Sequence, residues 1–341
     1  MPKKHARVTL WLVAALVGGA GVYATLHSQA WRGHAAMSAD DHAANQKLMA
    51  QAITLIRQHA LQAGRIDWAT QEPKLMALAA QGHHHEVHKT IRMLLQSLED
   101  GHSFLMPPML QRAMTQTATT MPQARMVAPS IGLLTLPGLM TGNTETMAHY
   151  VQTALAAMAA LPTPQAWVID LRGNTGGTMW PMLTALQPFL GSGPFGYFSK
   201  SNTSPPTPWR TRPDLYAPGT AIPDWTGLPV AVLQDARTAS AAEATAIALK
   251  GRPGTRFFGT PTHGQTTANR TFRLMDGSLL MVAASYEQDR THKTYTGPLL
   301  PDVLTDNQTD PLPVALAWLQ PLLPDPAPPA INSLPATGAG R

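Results

Sequence analysis

From Lys47 to Leu98 the apolar positions recur at helical spacing: Leu48, Ile53 and Ile56, then Met76 and Leu78, then Val87, Ile91, Leu94, Leu95 and Leu98. This predicts a small helical unit over residues 47–106, with a helix exit at Glu99-Asp100-Gly101-His102-Ser103, where Gly101 suits the turn. The polar, small-residue stretch from His34 to Gln46 is expected to be linker, as part of a segment spanning 31–46. Residues 107–130 hold Pro107, Pro108, Pro122 and Pro129 among polar residues and are expected to form a loop. From Ile131 strand-like and helix-like runs alternate: Ile131–Leu136, Met147–Leu161, Ala166–Leu171, Met179–Leu190, Val230–Gln234 and Ser240–Lys250. That alternation predicts an α/β core over 131–320. Asp276-Gly277 between two apolar runs predicts a hairpin turn. The proline-, alanine- and glycine-rich stretch 321–341 is expected to be a mobile tail.

Two segments of this core carry candidate chemistry. V-I-D-L-R-G-N-T-G-G at 168–177 runs from a buried strand into a glycine-rich loop, and T-A-S-A-A-E at 238–243 runs from a strand into an alanine-rich helix. Each predicts a strand, a tight turn and a helix N-terminus. Such places expose unpaired backbone N–H groups, which hold a developing negative charge. Ser240, on the second turn, is therefore a candidate nucleophile. The plainer reading is that Ser240 and Glu243 form a capping box.

Charge and composition narrow the partners. The chain is 44% hydrophobic and 13% charged, which favours a sizeable core over disorder. Lys3, Lys4 and Arg7 precede any acid, and removing those three from the formal +5 leaves +2. No dense basic stripe follows, so no nucleic-acid partner is expected. Cysteine is absent, which excludes disulfides, thiol catalysis and cysteine metal sites. The basic start and the uncharged run Val8–Leu26, followed by Ser28-Gln29-Ala30, predict an export signal or membrane anchor over residues 1–30. Basic residues ahead of that run direct the bulk of the chain outward, to a periplasmic or extracellular location. If the segment stays uncleaved, it is also the membrane attachment.

The ordered pieces resemble the tail-specific, C-terminal-processing serine proteases, including the tricorn-core group. They are Asp100-Gly101-His102, Ile131-Gly132-Leu133-Leu134, Asp170–Gly177, Thr238–Glu243, Gly259–Gly264, Asp276-Gly277 and Pro301-Asp302, which together span about residues 95–305. The resemblance implies a crotonase/ClpP-like protease core preceded by the helical unit, acting as a serine-type endopeptidase on peptide or protein substrates without metal or organic cofactor. It assigns Ser240 as nucleophile. Many relatives carry a PDZ domain ahead of the core, but only about 25 residues separate Ser103 from Ile131 here, too few for one. In one branch a lysine base follows the T-x-G element, and this chain has Gln265 there. Glutamine cannot take a proton from serine, so the tricorn-like branch, with a histidine from the D-G-H element, points to His102 as general base.

That branch orients its histidine through a serine and a glutamate. Gly101 stands where the serine is expected, and Glu287 is the assigned glutamate, with Asp289 as its rival. Gly176, Gly177 and Ala241 are the expected oxyanion-hole donors, while Asp170, Arg172 and Asn174 are expected to hold the loop. His263 and His292 are spare candidates for the base. His83-His84-His85-Glu86-Val87-His88 is not an H-E-x-x-H motif and no carboxylate completes it, so it reads as a polar helix face. The alternative from another class is a non-catalytic ligand- or peptide-binding protein on the same scaffold. The 17 methionines, which favour adaptable apolar surfaces, fit that alternative.

Overall fold

A computed structural model describes residues 37–324, apart from 117–118, 201–204 and 307. The expected export segment at 1–30 and the part of the expected tail beyond residue 324 lie outside the described residues. Among the described residues no helix is long and apolar enough to cross a membrane.

The N-terminal unit consists of α1 (Ala39–His59), α2 (Trp68–Gln81) and α3 (His84–Gln96). The expected linker therefore ends earlier than the sequence indicated. Asp41 N–H donates to Ser38 Oγ at 3.1 Å, and Ser38 N–H returns to Asp41 Oδ2 at 3.0 Å, starting α1 at residue 39. The first two turns are polar because they are largely exposed. Apart from the buried Asn45, one face turns inward from Leu48 onward, through Met49, Ala52, Ile53 and Ile56.

The second correction concerns residues 107–130. In place of a loop there are α4 (Pro108–Gln116) and β2 (Gln123–Ala128). The prolines punctuate these elements without interrupting them. Pro108 occupies the first helical position, where a missing N–H costs nothing, and Pro122 and Pro129 flank β2. The expected boundary at 106 also divides a packed body, because β1 (Phe104–Met106) belongs to a sheet that the helical unit covers. At the far end Gln320–Leu322 forms a short 3-10 turn.

The α/β core is a six-stranded sheet in the order β12 (Val303–Leu304), β8 (Thr255–Gly259), β7 (Val230–Gln234), β4 (Ala166–Asp170), β3 (Ile131–Thr135), β2. Every pair is parallel except β2 with β3. Both faces are covered, so β4 and β7 are continuous apolar runs. Along β4, Trp167 and Ile169 face the core under α5 (Thr144–Ala159), α6 (Met179–Ala185) and α8 (Ala241–Leu249). Ala166 and Val168 face the opposite core under α9 (Pro311–Leu319).

The second sheet is antiparallel and built around β10 (Leu279–Asp289). It pairs with β9 (Thr267–Arg273), β1, β5 (Gly196–Ser199) and β11 (Thr294–Tyr295). The expected Asp276-Gly277 hairpin is present, and its strands run longer than the apolar pattern indicated. Leu105, Leu274, Leu280 and Val282 of this sheet region share a core with α1, α2 and α3. Each fully buried leucine or isoleucine there contributes about 1.5–3 kcal/mol, so the helical unit is held by packing. The proline-rich excursion before β7 is tied by Arg252, which is buried with no carboxylate partner among the described residues. Its guanidinium donates to the carbonyls of Trp225, Thr226 and Leu228.

Candidate active site

Strands β4 and β7 are parallel neighbours, so the loops leaving their C-terminal ends emerge side by side. These are the two segments singled out from the sequence, and they are stitched together. Ala239 N–H donates to Asn174 O at 3.0 Å, Thr238 Oγ1 to Leu171 O at 3.0 Å, and Gly173 N–H to the Asp235 carboxylate at 3.1 Å. Arg172 grips Asp170 through two hydrogen bonds of 2.8 and 2.6 Å and reaches Asp310 at 2.8 Å. Asn174 Nδ2 donates to Leu136 O at 2.7 Å. Asp170, Arg172 and Asn174 thus hold the loop.

Ser240 sits at the entrance to α8 with φ 54° and ψ −119°. Positive φ is unusual for a residue with a Cβ and costs on the order of 1–3 kcal/mol. Glu243 Oε2 accepts the Ser240 N–H at 3.0 Å, as the capping reading expects, while Ser240 Oγ lies 2.8 Å from His102 Nε2.

His102 is brought 138 residues across the sequence by the turn between α3 and β1. Side-chain hydrogen bonds fix that turn. Asp100 Oδ1 accepts from His102 N–H at 2.9 Å, Asp100 Oδ2 from Ser103 Oγ at 2.6 Å, and Asn269 Nδ2 donates to His102 O at 3.0 Å. Gln265, at the position where a lysine base would be expected, donates to Gly101 O at 2.9 Å. The imidazole is 6% exposed, and burial lowers its pKa to about 4, although Asp100 works in the opposite direction.

The other nitrogen of His102 corrects one expectation. Nδ1 lies 2.8 Å from Thr267 Oγ1, at the start of β9, so threonine occupies the place assigned to Glu287. Glu287 lies in the middle of the second sheet, 2% exposed, with Oε2 unpaired among the described residues. Burial, reinforced by the charge of Glu243, pushes its carboxyl well above the usual carboxylate range. Asp289, the rival, closes the β10–β11 turn by accepting from Thr291 N–H, Thr291 Oγ1, Lys293 N–H and Tyr295 O–H. Nothing in the residue types around Thr267 signalled it, because its position depends on how β9 enters the second sheet.

The spare histidines are accounted for in the same way. His292 stacks on Tyr197 with ring centroids 4.2 Å apart, and His263 donates its backbone N–H to Thr238 O. Neither hydrogen-bonds to Ser240. Glu243 does more than cap a helix. Besides Ser240 N–H it accepts from Thr262 Oγ1 at 2.5 Å, Gly264 N–H at 2.8 Å and Gln265 N–H at 2.7 Å, welding the serine turn to the 259–265 loop. The capping pattern pointed to Glu243 but not to these three long-range partners.

Of the expected oxyanion donors, Gly176 departs from its role, because its N–H is already given to Asn174 Oδ1 at 2.9 Å. The Gly177 and Ala241 N–H groups donate to no described residue. Both glycines are demanded by space and conformation. A Cβ on Gly176 (φ +98°) would lie 2.9 Å from the Ser240 Cβ, and one on Gly177 (φ +119°) would lie 2.1 Å from Leu139 O. The site can therefore present a hydroxyl beside a neutral imidazole, with two free backbone donors on adjacent loops.

The described residues between Ser103 and Ile131 form β1, α4 and β2, with no interposed PDZ-like unit. Over 195 residues the chain is 34% identical to the nisin-resistance protein of Lactococcus lactis subsp. lactis, covering 55% of this chain and 59% of that protein. It is 34% identical over 123 residues to carboxyl-terminal-processing peptidase 2, chloroplastic, of Arabidopsis thaliana, covering 36% and 22% of the two chains. The chain thus spans less than two thirds of the length of these relatives. The fold is similar to that of a lipoprotein from Streptococcus agalactiae, with a TM-score of 0.74 at 24% identity over 82% of this chain and 97% of the other. The sequence pattern of Peptidase family S41 matches residues 130–305, which contain the strand–turn–helix units carrying Gly177 and Ser240. With about half its length inside that match, the chain belongs to Peptidase family S41.

Proposed function

We propose that this chain is a serine endopeptidase in which Ser240 attacks a peptide carbonyl and His102 moves the proton. The observation that carries the reading is the 2.8 Å separation of Ser240 Oγ from His102 Nε2 on a serine held at positive φ. With Nδ1–H donating to Thr267 Oγ1, Nε2 is left as the acceptor for the serine hydroxyl. As the Ser240 Oγ–carbon bond forms, its proton passes to Nε2, and the carbonyl oxygen takes up negative charge between Gly177 N–H and Ala241 N–H. The imidazolium then returns the proton to the leaving amine as the peptide bond breaks. Water, deprotonated by the same nitrogen, attacks the acyl carbon, and as the ester bond breaks Nε2 returns that proton to Ser240 Oγ. Thr267 and Asp100 are positioning residues.

Peptide or protein substrates follow from the family. Cleavage of C-terminal segments is the reading supported by the name of the Arabidopsis relative. Export to a periplasmic or extracellular setting rests on the basic start and the apolar run Val8–Leu26.

Labelling by a fluorophosphonate, which traps an activated serine, tests the assignment. Ser240→Ala is expected to abolish labelling, and His102→Ala to slow it by about 10²–10⁴. A folded wild-type protein that takes up no label would overturn the reading and favour the binding protein. Full labelling of His102→Ala would move the base elsewhere.

A further inference from the structure

The histidine run that the sequence left as a polar helix face acquires a carboxylate in the folded chain. His84 and His88 are four residues apart on α3, so their rings share one face, with centroids 4.5 Å apart. The β9–β10 turn delivers Asp276 to that face from 188 residues away. His88 Nε2 lies 2.6 Å and His84 Nε2 3.2 Å from the same Asp276 oxygen, Oδ2. The three ligand atoms all fall within 4.8 Å of one another. Ser278 supports the set, its Oγ donating to Asp276 Oδ2 at 2.9 Å and its N–H to Oδ1 at 3.0 Å. The carboxylate is thus oriented from behind.

We propose that His84, His88 and Asp276 form a binding site for a divalent transition-metal ion of the zinc type, which clamps α3 to the β9–β10 turn. Two imidazole nitrogens and one carboxylate oxygen are the donor set that zinc takes with a fourth position left to water. Ligand atoms about 2.0–2.1 Å from a tetrahedral zinc stand about 3.3–3.4 Å apart. The His84–Asp276 pair, at 3.2 Å, stands close to this, the His88–Asp276 pair, at 2.6 Å, has to open by about 0.7–0.8 Å, and the two histidine nitrogens lie within 4.8 Å of each other. His84, with its side chain 54% exposed, leaves the open coordination position toward solvent, while His88 and Asp276 are nearly enclosed.

The clamp is structural and lies apart from the serine. Thr267 and Arg273 are the two ends of β9, about 20 Å apart on an extended strand, and Asp276 lies beyond the Arg273 end. It joins the helix that leads into the His102 turn to the hairpin that begins with Thr267, and so braces both elements that hold the imidazole. The proposal does not depend on the peptidase reading, because its readouts are metal content and stability.

The test uses the full chain, stripped with a chelator and dialysed against one to two equivalents of Zn²⁺. One zinc per chain and a rise in melting temperature are expected. His84→Ala removes an exposed ligand without disturbing the core. It is expected to weaken binding at least a hundredfold and abolish the thermal shift. His85→Ala, altering a neighbour outside the set, is expected to bind as the wild type does. No stoichiometric zinc in a folded wild type overturns the site, and so does undiminished binding by His84→Ala. Equal loss in His84→Ala and His85→Ala would place the ion on the histidine run alone and also overturn it.

Discussion

Glu243 accepts the backbone N–H of Ser240 at 3.0 Å while the hydroxyl of the same serine turns to His102 at 2.8 Å. The capping box and the candidate chemistry therefore share one residue. The Glu243 carboxylate secures the helix start, and the serine hydroxyl also reaches the imidazole. One short motif serves both the plain reading and the chemical one.

In the proposed mechanism burial sets the acid limb of activity. His102 must be neutral to accept a proton, and its pKa is lowered to about 4 by loss of solvent. A profile of kcat/KM against pH is expected to fall on the acid side with a midpoint near 4, not near the ordinary histidine value of about 6.5. Between these two values the unfolded chain binds a proton that the folded chain refuses. The histidine's contribution to stability is therefore full above about 6.5 and declines as pH falls toward 4. Denaturant titrations at several pH values in that window check the sign.

In the proposed mechanism Thr267 orients the imidazole, so its loss acts through His102. Thr267→Val keeps the shape of the side chain and removes the oxygen at Nδ1. A fall in kcat of about tenfold to a hundredfold is expected with little change in KM, since small errors of placement carry costs of this order. Thr267→Ser restores the oxygen and is expected to recover most of the rate. Wild-type kcat in Thr267→Val would remove threonine from the mechanism.

Burial, and after it the charge of Glu243, pushes the Glu287 carboxyl well above the usual range. Its pKa is raised on folding, so its contribution is full below the unfolded value and is lost as pH rises through the range up to the folded one. Glu287→Gln copies the neutral form. The variant is expected to match the wild type near pH 4 and to exceed it in stability at pH 8. A variant less stable than wild type at pH 8 would show that the carboxylate is ionised and needed.

Gly177 offers a donor and has no room for a side chain. Gly177→Ala places a Cβ against Leu139 O and must shift the loop. With the Gly177 N–H displaced, labelling of Ser240 is expected to slow by about 10²–10³, the usual cost of one oxyanion donor. Circular dichroism on the same sample distinguishes this from unfolding.

Much of the architecture was legible in the chain because it is set by local pattern. The period-3.6 run over 47–98, the buried runs at 166–171 and 230–234, and the Asp-Gly turn depend on neighbours within a few residues. So does the small-residue turn that puts Ser240 at a helix start. The errors are local as well. A helix whose first turns are exposed looks like linker, as at Ala39–Gln46, and an edge strand flanked by prolines looks like loop, as at Gln123–Ala128.

What the sequence by itself determined is the core fold, the family, the nucleophile candidate and, through the missing lysine at Gln265, the histidine candidate. What only the tertiary structure decided is which groups stand behind them. Thr267 and not Glu287 meets Nδ1, Gly176 gives its N–H to Asn174, Glu243 collects donors from a loop about 20 residues on, and Asp276 closes on two histidines. These pairings join residues 2 to 188 positions apart. Those beyond a few residues are fixed by strand register and by the packing of the helical unit on the second sheet, which no short-range pattern encodes.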